Sequence, residues 1–147
     1  MRIHEILSDK TNQVITLQSR ALASQASALM LRERVGAVVV CEGERIVGVL
    51  SERDLALAIS QLGLDLFSRS VSELMTIDVP VAAPGDAVVD VMRMMTEKRA
   101  RHIPVVEGGS VVGMVSIGDI LKSRLTEKIQ ENAVLQDLAR VHHHLSA

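Results

Sequence analysis

The sequence predicts an α/β protein made of two pseudo-symmetric β-α-β-β-α units packed through their sheets, with an extended helix at the C-terminal end. Three observations carry that prediction. Sliding the chain over itself by 65 positions lays Val40, Glu42, Gly43, Val47, Gly48, Ser51 and Asp54 onto Val105, Glu107, Gly108, Val112, Gly113, Ser116 and Asp119 without a gap. At 147 residues the chain has the size of one ordinary domain, so two half-size units would each need the other to bury enough surface. Apolar residues make up 48% of it, yet it has no Trp or Tyr and Phe67 is its one Phe, so the core must come from Val, Ile, Leu, Met and Ala.

Taken in order, each unit opens on a short strand, Val14 to Leu17 in the first and Val79 to Ala82 in the second. A helix follows, because Leu22, Ala26, Leu29 and Met30 align with Ala87, Val91, Met94 and Met95 in the i, i+4, i+7, i+8 stripe of an amphipathic helix. Two β-branched runs joined by a turn come next: Ala37 to Cys41 and Arg45 to Leu50 around Glu42-Gly43-Glu44, then His102 to Val106 and Ser110 to Val115 around Glu107-Gly108-Gly109. A helix closes each unit after a loop ending in Asp. Related segments, Ile3 to Leu7 and Val71 to Met75, precede the first strands, and the loop after Leu7 is the longer of the two. The expected division is a first repeat over 1–62, a connector over 63–70, a second repeat over 71–129 and a helical tail over 130–147. In that tail Leu121, Leu125, Ile129, Leu135 and Leu138 recur through a charged background, an apolar face suited either to packing across the pseudo-symmetric pair or to a symmetric dimer contact.

Composition excludes several functions. The longest apolar stretch near the middle, Ala37 to Cys41, is far below the roughly 20 residues that a spanning helix needs, so no membrane partner is expected. The start, Met1 to Ile6, has no apolar run suited to secretion, which points to the cytoplasm. Cys41 is alone and reads as a small buried hydrophobe. A formal net charge of -2 with no basic stripe among aromatics argues against nucleic acid. His142-His143-His144 reads as a solvated tail rather than a metal site, and no nucleophilic, metal-ligand or Walker-type constellation suggests catalysis.

The chemistry concentrates in the two loops Gly48-Val49-Leu50-Ser51-Glu52-Arg53-Asp54 and Gly113-Met114-Val115-Ser116-Ile117-Gly118-Asp119. Helix capping alone explains Ser-x-x-Asp, since the hydroxyl accepts from the third helical amide and the acid reaches back. Gly118, in a first helical turn where Gly costs up to about 1 kcal/mol, points beyond capping to close approach of a ligand. An Asp beside exposed helix-start amides supplies the acceptors and donors that a ribose diol with a neighbouring phosphate requires. A basic cluster, Lys98-Arg99-Ala100-Arg101-His102, precedes Ile103-Pro104-Val105-Val106, whereas the aligned first-unit residues are Glu33-Arg34-Val35-Gly36-Ala37. Arg101 and His102 are therefore expected to put phosphate-binding charge beside the loop of Asp119, and Arg53 to stand alone beside Asp54.

The paired Gly-x-x-Ser-x-x-Asp loops together with Arg101-His102-Ile103-Pro104-Val105 resemble the cystathionine beta-synthase (CBS) domain family, over about Ile3 to Ile129. The resemblance implies a tandem pair, or Bateman module, that binds AMP, ADP, ATP, NAD(H) or S-adenosylmethionine between its repeats, with S-adenosylmethionine ranked behind the others. It implies ribose contacts from Asp119 and Asp54 and ribose or phosphate contacts from Ser116 and Ser51. Arg101, His102 and Arg53 would hold phosphates. Adenine would lie between aliphatic walls, Val79, Val81, Ile103 and Pro104 in one site and Ile15 and Ala37 in the other. The Asp119 site is expected to grip phosphate better. The implied role is that of a regulatory, non-enzymatic sensor acting as a homodimer of four repeats on an unknown target; the alternative is a ligand-free assembly module.

Overall fold

The computed structural model describes residues 1–9 and 14–146, with side chains through residue 143. Part of the long loop after Leu7 and the side chain of His144 thus lie outside the described residues. In chain order the elements are α1 (Ile3–Ser8), β1 (Thr16–Gln18), α2 (Ala23–Glu33), β2 (Ala37–Glu42), β3 (Arg45–Ser51), α3 (Glu52–Leu62), a 3-10 turn (Gly63–Ser68), α4 (Val71–Leu74), α5 (Val88–Lys98), β4 (His102–Glu107), β5 (Ser110–Ser116) and α6 (Ile117–Ser146).

The two hairpins follow from their turns. Gly43 and Gly108 take positive φ between β-branched strands, and β2 pairs antiparallel with β3 as β4 does with β5. In the first repeat β1 adds in parallel to β2, with Leu17 opposite Val40. The corresponding strand expected over Val79 to Ala82 does not form; a single parallel bridge from Ala82 to Val105 remains. Proline explains the loss. Pro80 lies inside the segment, Pro84 follows it and Pro104 faces it, so three amides that a ladder could use are missing, and what survives is Ala82 N donating to Pro104 O and Val106 N to Ala82 O. The connector also holds more structure than expected, because Leu66 in its 3-10 turn is fully buried against Ala23 and Ala58.

The core divides in two, and the leading helices are exchanged between the halves. Ile3 and Ile6 of α1 pack with Val88, Val91, Met95, Ile103, Val105, Val115 and Ile120 of the second repeat. Val71 of α4 packs with Ala26, Met30, Val38, Val40 and Leu50 of the first. Backbone bonds fix both ends of this exchange: Ile3 N donates to Asp86 O and Val88 N to Met1 O, while Val71 N donates to Ala21 O and Ala23 N to Arg69 O. The glycines that open the two loop motifs are what make it possible. A Cβ on Gly48 would sit 2.6 Å from Met75 Sδ and 2.8 Å from Thr76 O, and one on Gly113 would sit 2.6 Å from a Leu7 methyl. Each glycine therefore receives the end of the leading segment that crosses from the other repeat.

The α6 helix starts in the body, where Ile120 is buried, and then runs out of it. Leu121, Leu125, Ile129, Leu135 and Leu138 are each between 60% and 62% exposed, so packing across the pseudo-symmetric pair does not account for this apolar face within the chain. No helix among the described residues is long and apolar enough to cross a membrane.

Candidate functional site

Both acid-ended loops cap the helices that follow them. Ser51 Oγ accepts from Asp54 N at 3.2 Å, and Asp54 Oδ2 accepts from Ser51 N at 2.8 Å and from Ser51 Oγ at 2.9 Å. Thr76 Oγ1 donates to the other carboxylate oxygen of Asp54 at 3.1 Å, tying the first loop to the segment leading into the second repeat. In the second repeat Asp119 N donates to Ser116 Oγ at 3.1 Å, and Ser116 N to Asp119 Oδ2 at 2.8 Å. These bonds hold each half-buried carboxylate at the rim of a cleft.

The exchange of leading segments decides what lies opposite each loop. A cleft of about 270 Å³ takes Ser116, Asp119 and Met114 from the second repeat, and Val14, Ile15, Arg34, Val35, Gly36 and Ala37 from the first. A larger cleft of about 450 Å³ takes Ser51, Arg53 and Asp54 from the first repeat, and Thr76, Asp78, Val79, Pro80 and the run Lys98 to His102 from the second. The two are pseudo-symmetric at the 65-residue offset: Val14 and Val79, Arg34 and Arg99, and Ser51 and Ser116 occupy matching places. The backbone shows the same relation, since Glu52 N donates to Gly36 O and Ile117 N to Arg101 O, each at 2.9 Å.

Several sequence-based expectations are corrected by this geometry. Arg101 faces Asp54, not Asp119; Val79 lines the same cleft as Asp54, and Ile15 and Ala37 line that of Asp119. The loop of Asp119 is therefore not the one with the richer set of cations. His102 lines both clefts, as does Gly36, so the pair forms their common wall; a Cβ on Gly36 would come within 3.4 Å of His102 Nε2. Ile103 and Pro104 are buried in β4 and line neither cleft, and Val81, 44% exposed, lies outside both. Gly118 is exposed and outside the lining as well, and a Cβ there would meet Ser116 Oγ at an ordinary 3.6 Å, so internal packing does not require glycine at that position.

Sequence reasoning passed over three residues that the backbone singles out. Arg34, Asp78 and Arg99 are the described non-glycine residues with positive φ, at 56°, 56° and 52°, and all three line the clefts. A left-handed non-glycine backbone costs on the order of 1 kcal/mol and persists where surrounding structure imposes it, which is common at ligand sites. Arg34 and Arg99 end α2 and α5 at the same offset of 65, a signal present in the repeat alignment. Most other arginines outside the clefts are paired, for example Arg69 with Asp65 and Glu73 or Arg93 with Asp90. Among the described residues Arg34, Arg53, Lys98, Arg99 and Arg101 make no side-chain hydrogen bond or ion pair. Cations left unpaired around a concave surface suit an anionic group. Cys41 lies elsewhere, buried in β2, where desolvation pushes its thiol above the usual range. No metal-binding group of His, Cys, Asp and Glu occurs among the described residues.

Two tandem repeats of this fold, with clefts between them, define the class, and comparison with known proteins agrees. The CBS domain matches residues 4–61 and again 71–126, and the chain belongs to the CBS domain family. It is 29% identical over 124 residues to the CBS domain-containing protein YhcV of Bacillus subtilis, covering 84% of this chain and 88% of that one. The crystal structure of the CBS-domain containing protein ATU1752 from Agrobacterium tumefaciens superposes with a TM-score of 0.80 at 32% identity, over 84% of this chain and 99% of that one. Two more distant structures share the fold. The CBS domain pair of MJ0100, in complex with 5-methylthioadenosine and S-adenosyl-L-methionine, has a TM-score of 0.75 at 24% identity, over 87% of this chain and 97% of that one. CBSX2 in complex with AMP has a TM-score of 0.66 at 23% identity, over 78% and 90%.

Proposed function

We propose that this chain is a non-catalytic regulatory module that binds an adenosine ligand, AMP, ADP or ATP with NAD(H) as the alternative, in the two clefts between its repeats. The observation that carries the reading is the matched construction of the clefts. Each pairs a capped Ser-x-x-Asp loop from one repeat with an unpaired, left-handed arginine and a small apolar wall from the other. Adenosine chemistry fits that set: a carboxylate and helix-start amides for the ribose, aliphatic surface for the base, a guanidinium for phosphate. MJ0100 and CBSX2, which share the fold, hold adenosine compounds.

A ligand seated in either cleft touches both repeats at once. Its binding energy therefore acts on how the repeats pack, and regulation follows as a coupling free energy of about 1 to 3 kcal/mol between ligand and packing. The exposed apolar face of α6 adds the second half of the reading, a homodimer of four repeats that passes the change on to a target protein in the cytoplasm without contacting nucleic acid. The working units are a first repeat over 1–62 and a second over 71–129, joined by 63–70 and followed by the helical tail.

A thermal-shift panel of AMP, ATP, NAD, NADH and S-adenosylmethionine tests this on the wild type and on Asp54→Ala and Asp119→Ala. A ligand at a hundred times its Kd stabilises by about 2.7 kcal/mol, a readily measured rise in Tm, and each substitution should remove part of it. No shift with any adenosine compound would leave only an assembly module.

A further inference from the structure

Given the adenosine reading on which it rests, we propose a division of labour: the Asp54 cleft is a nucleoside polyphosphate site, and the Asp119 cleft takes an adenosine group with no more than one phosphate. At three cleft-related positions the difference between the repeats adds positive charge on the Asp54 side, while Glu52 and Asp78, which align with Ile117 and Gln13, add two acids there. Lys98 stands where the first repeat has Glu33, Arg101 where it has Gly36, and Arg53 where the second repeat has Gly118. All three cations line the Asp54 cleft; of their counterparts Gly36 lines the Asp119 cleft, and Glu33 and Gly118 are the sequence neighbours of its lining residues Arg34 and Asp119. Arg99 and Arg34 are the matched pair, one unpaired guanidinium per cleft.

The carboxylates do not cancel this difference. Asp54 has its counterpart in Asp119, so what distinguishes the larger cleft is Glu52 and Asp78 against Arg53, Lys98, Arg99 and Arg101. Around Asp119 the guanidinium of Arg34 is the counterpart among the described residues. A terminal phosphate carries about −1.5 to −2 charge at neutral pH, and every bridging phosphate adds to it, so a longer phosphate chain gains most where guanidinium groups are several and unpaired. Room points the same way, about 450 Å³ around Asp54 against about 270 Å³ around Asp119. The four cations are exposed, so the attraction they supply is sensitive to salt.

Calorimetry of the full chain with adenosine, AMP, ADP and ATP tests the division. In the wild type, affinity should rise with phosphate number at one site, ATP exceeding AMP by roughly tenfold or more. Replacing Arg53, Lys98 and Arg101 together by Gln should weaken ATP on the order of a hundredfold, each lost charge-assisted contact costing about fivefold at an exposed site. The charge-keeping set Arg53→Lys, Lys98→Arg and Arg101→Lys should retain most of the ATP affinity, which separates charge from folding. Arg34→Gln should weaken AMP at the smaller cleft. Arg20→Gln, an exposed cation outside both clefts, gives the scale of non-specific charge loss. The division is overturned if adenosine compounds bind without preference for phosphate number, or if the triple Gln variant keeps wild-type ATP affinity. If no adenosine compound binds the wild type at all, the adenosine reading itself falls.

Discussion

Substituting Gly113 by Ala probes the exchange of leading helices on which both clefts depend. The added Cβ would lie 2.6 Å and 2.9 Å from the two methyls of Leu7 and 3.3 Å from its Cγ, so Leu7 must swing away and α1 must shift with it. Overpacking of a close contact costs about 1 to 3 kcal/mol; because the obstacle is the end of a half-buried side chain, about 1.5 kcal/mol is expected. For a chain of this size that corresponds to a fall in Tm of about 3 to 6 °C. Leu7→Ala alone should cost about 1 to 2 kcal/mol, less than a full core truncation. The double variant is the decisive one, because removing the Leu7 branch also removes the obstacle. Denaturant titrations of the four proteins should show the pair about 1 kcal/mol less destabilised than the sum of the singles. Additivity within about 0.5 kcal/mol would mean that the residues do not touch and that α1 does not pack on the second repeat.

Further predictions concern the rest of the molecule. Gly48→Ala should be the costlier glycine substitution, about 2 to 3 kcal/mol by chemical denaturation, since its Cβ meets the backbone carbonyl of Thr76, which is held by Val49 N, and not only the Met75 side chain. The buried Cys41 thiol, with its pKa raised by desolvation, should react with an alkylating reagent at mildly alkaline pH at least about tenfold more slowly in the folded protein than in denaturant; equal rates would contradict its burial. Leu125→Asp and Leu138→Asp, both on the exposed face of α6, should shift sedimentation from dimer to monomer while changing monomer stability by no more than about 0.5 kcal/mol. Dimers that persist in both variants would move the proposed contact off this helix.

Much of the fold was legible because it is encoded in short-range patterns. The offset of 65, the helical stripes ending at Met30 and Met95 and the glycine turns at Gly43 and Gly108 each specify local structure without reference to the rest of the chain. The strand expected from Val79 was misjudged because apolar alternation was weighed without the missing amides of Pro80 and Pro104. The sites were half legible. Ser51, Asp54, Ser116 and Asp119 carry a local signature, and their capping geometry is as read. Arg101 was assigned to the wrong loop, since its adjacency to β4 in sequence does not state which cleft the side chain enters. That depends on α1 and α4 crossing between the repeats, a tertiary event whose trace in the sequence is only a glycine at 48 and another at 113. The left-handed Arg34 and Arg99 were missed for a related reason, because arginine is not a residue that propensity assigns to that backbone region.

The composite construction of the clefts is the claim from which the functional reading grows, and a methyl NMR titration with AMP measures it most directly. Occupation of the smaller cleft should move Ile15, Ala37, Val112 and Met114 together, although they come from different repeats, and occupation of the larger should move Leu57 with Val79, while Val81 stays fixed in both cases. A response in which Met114 moves with Val81 and leaves Ile15 and Ala37 unchanged would contradict the account.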